Sequence, residues 1–441
     1  MSFIILLLAI VLLVLLITWA KLNAFISFII VAVLGGLTYG KGISTVTAAL
    51  QKGIGDTMGT LLIIIGFGAV LGKLVADSGA AQKISSGLMQ AFGKKYLVWA
   101  LVLTAFIVGI PLFYNVAFFL MVPIVIAISE KYKISAVYLG LPVLTAMSVT
   151  HGYLPPHPSP TALVGQYHAN MGITLLYGFA IAIPAIIIAG PVFALTLKKY
   201  TAKPIATFAA KDLPESELPS MLTSMLTAFL PVILIALATV VKLVTNAQNL
   251  LTSIVFGLGD PVIAMTVTVL FALVFLGIKR GKPMQALDKS VSTAVKDVAP
   301  ILFIIAGAGA LKEVLTQCGI STQIATALQT MHVHPLLAAW GISAVIRVCL
   351  GSATIAGLTT AGIVAPMIAL TGVNPNLMVL ATGAGSLMFS HVNDPGFWLF
   401  KEYFNLSVKD TIKTWSTMES IVSVVGLAGV FAINYIITLH H

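Results

Sequence analysis

The sequence predicts an all-α, polytopic membrane protein, and three observations predict it. Of the 441 residues, 59% are hydrophobic and only 9% charged, with a mean hydropathy of +1.06, whereas a soluble domain carries roughly a quarter charged residues. Apolar runs at 1–20, 25–37, 97–110 and 174–197 approach or exceed the about 20 residues with which a helix crosses hydrocarbon. The longest apolar stretches are interrupted internally by Gly, Pro and hydroxyl residues, which a membrane tolerates where backbone lines a cavity or is buried in protein.

Taken in order, hydropathy places spans near 3–20, 22–39, 57–76, 96–128, 134–150, 173–197, 221–244, 260–278, 298–316, 335–370, 376–392 and 415–438. The first has no basic segment before it and no small-residue cleavage pattern after it, since Trp19, Lys21 and Asn23 follow directly, so it reads as a retained helix. The stretches 96–128 and 335–370 are too long for one helix, and Gly109-Ile110-Pro111 and Gly351-Ser352 are their expected breaks. The most polar connection, 198–220, carries Lys198, Lys199, Lys203, Lys211, Asp212, Glu215 and Glu217 among three prolines and divides the chain near its middle. A second basic cluster, Lys279-Arg280-Gly281-Lys282, follows two crossings later, so both fall on one face. The positive-inside rule makes that face cytoplasmic and places both termini outside.

The formal charge of +10 does not mark a nucleic-acid partner. All but Arg280 and Arg347 of the 24 basic residues are lysines, scattered at helix ends as membrane-flanking cations are. Cys318 and Cys349 are isolated and apolar-flanked, without disulfide or metal spacing, and His151 with His157 lacks the further ligands of a zinc site. Phosphate-loop, zinc-peptidase and serine-hydrolase motifs are absent, so transport would be secondary and no enzyme is indicated. Gly257-Leu258-Gly259-Asp260 has the form of an intramembrane aspartyl protease signature, yet the second aspartate, after a tyrosine, is missing. Asp260, before Pro261, reads as the start of a span.

Shifting the sequence by 240 residues pairs Ile64 with Ile304, Ile65 with Ile305, Gly79 with Gly319, Ile84 with Ile324, His151 with His391 and Pro155 with Pro395. Such identities are weak alone in so apolar a chain, but the order of features recurs as well: a Gly-rich segment, a broken long span, then a His-to-Pro loop. Two halves with an odd number of crossings each are inverted repeats, the common plan of secondary transporters.

Four interruptions carry the polar residues. The segment 150–160 concentrates four prolines with His151 and His157 directly after an apolar span, and proline removes donors and forbids continued helix. It is either an unwound segment whose carbonyls and imidazoles line a polar cavity or a turn-rich surface loop. Its counterpart, Ser390-His391-Val392-Asn393-Asp394-Pro395-Gly396-Phe397-Trp398, holds the sharpest candidate for proton coupling, Asp394, because a carboxylate beside hydrocarbon is costly when charged. The alternative is a helix terminator built of turn formers. Gly109-Ile110-Pro111-Leu112-Phe113-Tyr114-Asn115 and Gly351-Ser352-Ala353-Thr354 occupy comparable places in the two halves. Half-helix N-termini there would offer N–H groups and positive dipole ends to a carboxylate; close helix packing is the alternative for Ser352 and Thr354. Arg347 offers a bidentate carboxylate partner, or else pairs with Glu313 or snorkels. Asp77 and Glu313 read as ion-pair or hairpin residues. The substrate-binding candidates are therefore Tyr114, Asn115, His151, His157, Arg347, Gly351, Ser352, Thr354, His391 and Asn393, with Asp394 as the proton carrier.

The motifs Arg347-Val348-Cys349-Leu350-Gly351-Ser352-Ala353-Thr354, Ser390 to Trp398, and His151-Gly152 with Pro155-Pro156-His157-Pro158 resemble the signatures of the gluconate permease family of proton symporters, over essentially the whole chain. The first motif carries Cys349-Leu350 where many relatives have Ala-Gln, which alters pocket polarity. The resemblance implies proton-driven uptake of gluconate or a related sugar acid through a bacterial inner membrane, with D-serine or another hydroxy acid as the alternative and a channel as the rival class. It implies no cofactor beyond the protons, a lipid bilayer as surroundings, a homodimer and no nucleic acid. It also implies the ion-transporter superfamily's plan of two inverted repeats, re-entrant hairpins (63–93 and 301–328) and a transport domain moving against a scaffold as an elevator. On that plan the first repeat covers 1–200, with scaffold helices at 1–56, a transport segment at 57–172 and a connecting helix at 173–200. A linker covers 201–220, and the second repeat, 221–438, divides into 221–296, 297–414 and 415–438.

Overall fold

The computed structural model describes residues 2–93, 96–112, 114–200, 213–245, 249–319, 333–392 and 394–439. Among them every regular element is helical. The first half contains α1 (Ser2–Thr18), α2 (Ala24–Thr38), α3 (Ile43–Asp77), α4 (Ala80–Phe92), α5 (Leu97–Gly109), α6 (Tyr114–Tyr132), α7 (Ala136–Tyr153), α8 (Pro158–Gln166) and α9 (Met171–Leu197). The second contains α10 (Met221–Val244), α11 (Leu250–Leu258), α12 (Pro261–Arg280), α13 (Met284–Gln317), α14 (Pro335–Leu350), α15 (Ala353–Thr371), α16 (Pro375–Gly385), α17 (Pro395–Tyr403) and α18 (Val408–Leu439). Six of the described helices are long and apolar enough to cross a membrane, and α3 makes a seventh, with a 46° bend between Ile43–Gly59 and Leu61–Asp77.

Local sequence sets the helix ends. α8, α12, α14, α16 and α17 each start on proline, whose missing N–H has no helical partner to lose in the first turn. Asp260 caps α12 by accepting from the Val262 and Ile263 N–H groups at 2.9 and 3.2 Å, which is the span start expected of it. α3 and α13 end alike: Ser78 and Cys318 are followed by Gly79 and Gly319 at φ 75° and 70°, a left-handed conformation that glycine adopts without strain. The 240-residue shift thus recurs in backbone geometry.

Two expectations are revised. α3 begins at Ile43, well before the apolar span expected from 57, because its polar first half lies against α13. A Cβ on Gly53 would fall 2.4 Å from the Gly309 carbonyl oxygen and one on Gly309 2.7 Å from that of Gly53, so the two backbones cross at these glycines. The reading of 335–370 as one interrupted span is also corrected. α14 and α15 pack against each other as a hairpin whose tip is Gly351-Ser352, with Gly351 at φ 72° ending α14. The segment 63–93 is a helix–turn–helix made of the second limb of α3, a turn at Ser78-Gly79, and α4; its counterpart, 301–328, runs past residue 319 and so lies partly outside the described residues. The end of the polar connection rests on one end of the molecule: Gln82 exchanges two hydrogen bonds with the Leu213 backbone at 3.0 Å, and Arg280 donates to the Glu217 carbonyl at 2.6 Å. The end of the polar connection, 213–217, and the basic cluster at 279–282 therefore lie at one end.

α7, α9, α16 and α18 pack together around the middle of the chain. A Cβ on Gly383 of α16 would sit 2.3 Å from the Gly152 carbonyl oxygen of α7, and one on Gly426 of α18 would sit 2.2 Å from the Tyr153 hydroxyl, which donates to the Val422 carbonyl at 2.5 Å. Gly426→Ala is expected to destabilise by about 1–3 kcal/mol, the usual range for overpacking a filled core. A lowered melting temperature in detergent checks this, against Gly35→Ala, whose Cβ meets nothing within 4 Å.

Candidate functional site at the two proline loops

The end of α7 meets α16 and the loop that follows it, at Gly152 against Gly383 and Leu387, although they lie far apart in sequence. On the second loop, Arg347 of α14 forms an ion pair with Asp394 through Nη2 and Oδ2, the side chains being 4% and 13% exposed. Ser390 Oγ donates to the same Oδ2 and the Gly396 N–H to Oδ1 at 2.8 Å, so Asp394 is at once counter-ion and cap of α17. Ser390 is held in turn: Trp415 Nε1–H donates to its Oγ at 2.7 Å and Ser416 Oγ donates to its carbonyl. Consecutive residues reach one neighbour because Ile412–Ser416 form a π turn, a wide turn common at functional sites. His391 Nε2 donates to the Val348 carbonyl at 2.9 Å, fastening the loop beside Arg347.

On the first loop, His157 is buried, and its Nε2–H donates to the Gly109 carbonyl at 2.6 Å. That carbonyl is the last of α5, at the end of a helix, where the final carbonyls look outside the helix for donors. The His151 and His157 rings are 5.5 Å apart at 79°, and the Tyr114 ring lies 6.1 Å from His151 and 6.4 Å from Trp415. Tyr114 therefore lies between the last turn of α7 and the Trp415 that holds Ser390.

Several polar atoms here are buried without a partner among the described residues: Tyr114 OH, His151 Nδ1, Arg347 Nε and Nη1, and Glu419 Oε2. Each such atom costs about 1–3 kcal/mol if nothing bonds it, so their convergence makes this a place for a polar guest. An Arg with free N–H groups beside a displaceable carboxylate suits an anion.

Of the expected residues, the structure gathers Tyr114, His151, His157, Arg347, His391 and Asp394. Gly351 lies one turn beyond Arg347 and donates its N–H to the Arg347 carbonyl at 2.9 Å. Ser352 is engaged as the cap of α15, accepting from the Ile355 N–H at 3.4 Å, and Thr354 sits on that helix's first turn. Asn115 is on the first turn of α6 with its side chain outside the described residues, as Asn393 is altogether. Glu313 faces Lys52 at 3.5 Å instead of Arg347, and Asp77 pairs with Lys73 at 2.9 Å and accepts from Ser290 at 2.8 Å. The residue that sequence reasoning missed is Glu419, 2% exposed on α18, whose Oε1 accepts from Ser148 Oγ at 2.7 Å. Its signal was an acid inside an apolar run, the same that marked Asp394.

A cavity of about 1370 Å³ lies elsewhere, between α3, α8, α10, α12 and α13, lined by Lys52, Asp56, Thr161, Gln166, Lys312 and Glu313 among others and by no residue of the Arg347 cluster. Volume does not decide between the two places. Thr161 Oγ1 and both amide atoms of Gln166 are open there as well, among the described residues, but Lys52 and Asp56 neutralise each other at 2.8 Å and no arginine lines the cavity, whereas the cluster joins open donors and acceptors to a buried arginine.

Many apolar helices around a buried, charge-paired and incompletely satisfied polar cluster define a membrane transporter. A family model described as GntP family permease matches residues 1–436. The chain is 46% identical to a high-affinity gluconate transporter of Escherichia coli (strain K12), over 99% of this chain and 100% of that one. It is 44% identical to the Gnt-II system L-idonate transporter of the same strain over 95% of each, and 43% identical to a gluconate permease of Bacillus subtilis (strain 168) over 99% and 100%. Its fold is similar to that of the Alcanivorax borkumensis YdaH transporter, with a TM-score of 0.67 at 15% identity, covering 93% of this chain and 96% of that one. The chain belongs to the GntP family of permeases. It is a multi-pass membrane transporter and not an enzyme.

Proposed function

We propose that the protein imports gluconate or a closely related sugar acid together with protons across the bacterial inner membrane, by alternating access. The observation that carries this reading is the buried Arg347–Asp394 pair with its unpartnered Arg347 Nε and Nη1; the sugar acid comes from the names of the relatives. A substrate carboxylate takes the Nη1 edge of Arg347 and competes with Asp394 for Nη2. Asp394, losing its cation in a water-poor site, takes a proton, since a buried unpaired charge is neutralised more cheaply than it is kept. One proton then travels with one anion and the site's net charge is unchanged.

Inverted repeats over 1–200 and 221–438, an elevator motion of 57–172 and 297–414 against the remaining helices, and a homodimeric scaffold belong to the same reading. Supporting them are the recurrence of Gly79 and Gly319 at matching helix ends and the shared order of elements in the two halves.

Proteoliposomes loaded at alkaline pH and diluted into acid buffer test this. Labelled gluconate is expected to accumulate beyond equilibrium, to leak back on adding a protonophore, and to be displaced by idonate but not by D-serine. Accumulation indifferent to the pH gradient sinks the coupling, and downhill flux without saturation identifies a channel.

A further inference from the structure

We infer that Glu419 is a specificity-determining residue that recognises a hydroxyl of the sugar acid, an inference that rests on the sugar-acid reading above. Three helices place polar atoms around one spot. On α18, Glu419 follows Trp415 by one turn, and Trp415 touches the Tyr114 ring. On α7, Ser148, which donates to Glu419 Oε1, precedes His151 by one turn, and His151 also touches the Tyr114 ring. Glu419 Oε2, Tyr114 OH and His151 Nδ1 are all buried and all lack a partner among the described residues. Ser390 bonds both Asp394 and Trp415, which puts the Arg347–Asp394 pair on the border of the same space.

The chemistry of the three atoms selects the guest. A carboxyl oxygen accepts, a phenol donates or accepts, and an imidazole nitrogen does either according to its tautomer. A hydroxyl both donates and accepts, so a polyol satisfies such a set, whereas a methylene at the same place leaves each atom orphaned. Arg347 anchors the carboxylate, and Glu419 with Tyr114 and His151 reads the hydroxylated carbons beyond it. Glu419 is held through Oε1 alone among the described residues, and Arg347 already has its counter-ion in Asp394.

The test pairs substitutions with gluconates that each lack one hydroxyl, measured as competitors of labelled gluconate on the purified full-length protein. In the wild type at least one deletion is expected to weaken competition about tenfold or more, as a site built to bond a hydroxyl rejects the analogue without it. In Glu419→Ala that same deletion is expected to cost less than about twofold while the other deletions keep their penalties, because mutant and analogue remove one interaction. If every analogue keeps its wild-type penalty in Glu419→Ala, or all penalties shrink together, the assignment is overturned. Should Glu419→Ala not elute as folded protein, Ser148→Ala, which frees Oε1, is expected to reduce the same penalty severalfold, and an unchanged penalty there overturns it equally. A wild type that does not bind gluconate refutes the sugar-acid reading itself, a result visible before any substitution is made.

Discussion

Arg347→Ala is expected to cut sugar-acid uptake by about 10- to 100-fold, the loss of a hydrogen bond to a charged group worth about 1.5–3 kcal/mol. The fall should appear in KM or in ligand-induced thermal stabilisation before it appears in turnover, because the guanidinium is proposed to hold the substrate in every state of the cycle. Removing one partner of a buried ion pair also costs about 3–5 kcal/mol of stability by stranding the other, so the substitution will lower the melting temperature of the empty protein. Arg347→Lys separates the two effects. It keeps a cation for Asp394 but lacks the planar fork, so stability should be largely restored while gluconate affinity stays reduced. Wild-type affinity in both variants would remove Arg347 from the site.

Asp394→Asn should uncouple transport instead of abolishing binding. Asparagine keeps Oδ1 as the acceptor for the Gly396 N–H, so the start of α17 survives, and its Nδ2–H donates to Ser390 Oγ where the carboxylate accepted from it, but it cannot take up a charge-neutralising proton. Counterflow exchange of gluconate across equal pH is expected to persist, while accumulation driven by a pH gradient falls by about tenfold or more, since each 1.4 kcal/mol of lost driving force is a factor of ten. The sign with pH follows. Wild-type uptake should rise as external pH falls, because protonation releases Arg347 to the anion, and the variant's uptake should be flat. Proton-driven accumulation that survives Asp394→Asn would show that another group carries the proton.

Much of this site was legible residue by residue. Arg347 and Asp394 stand out because charged side chains inside apolar runs need a reason to be there, and the breaks at Pro111, Pro155 and Gly351 follow from proline's missing donor and glycine's freedom at positive φ. Their partnerships were not legible. Glu313 was the only side chain the sequence suggested for Arg347, and the folding back of α15 on α14 instead brings the arginine to Asp394. His157 offers no sign of its bond to the Gly109 carbonyl, because that acceptor is created by a helix ending elsewhere in the chain. Glu419 carries the same local signal as Asp394, but its free oxygen beside Tyr114 and His151 depends on how three helices meet.

Taken alone, the sequence determined the solvent, the secondary structure and the places where helices break. Each depends on local quantities: hydropathy summed over about 20 residues, and the donors or φ angles of single prolines and glycines. The tertiary structure decided which buried charge neutralises which, which polar atoms are left open among the described residues, and that the end of α7 packs against α16 and the loop after it. Those outcomes depend on distances of a few ångströms between residues remote in the chain, where a Coulomb or hydrogen-bond energy is gained or lost altogether, and no local property of the sequence encodes them.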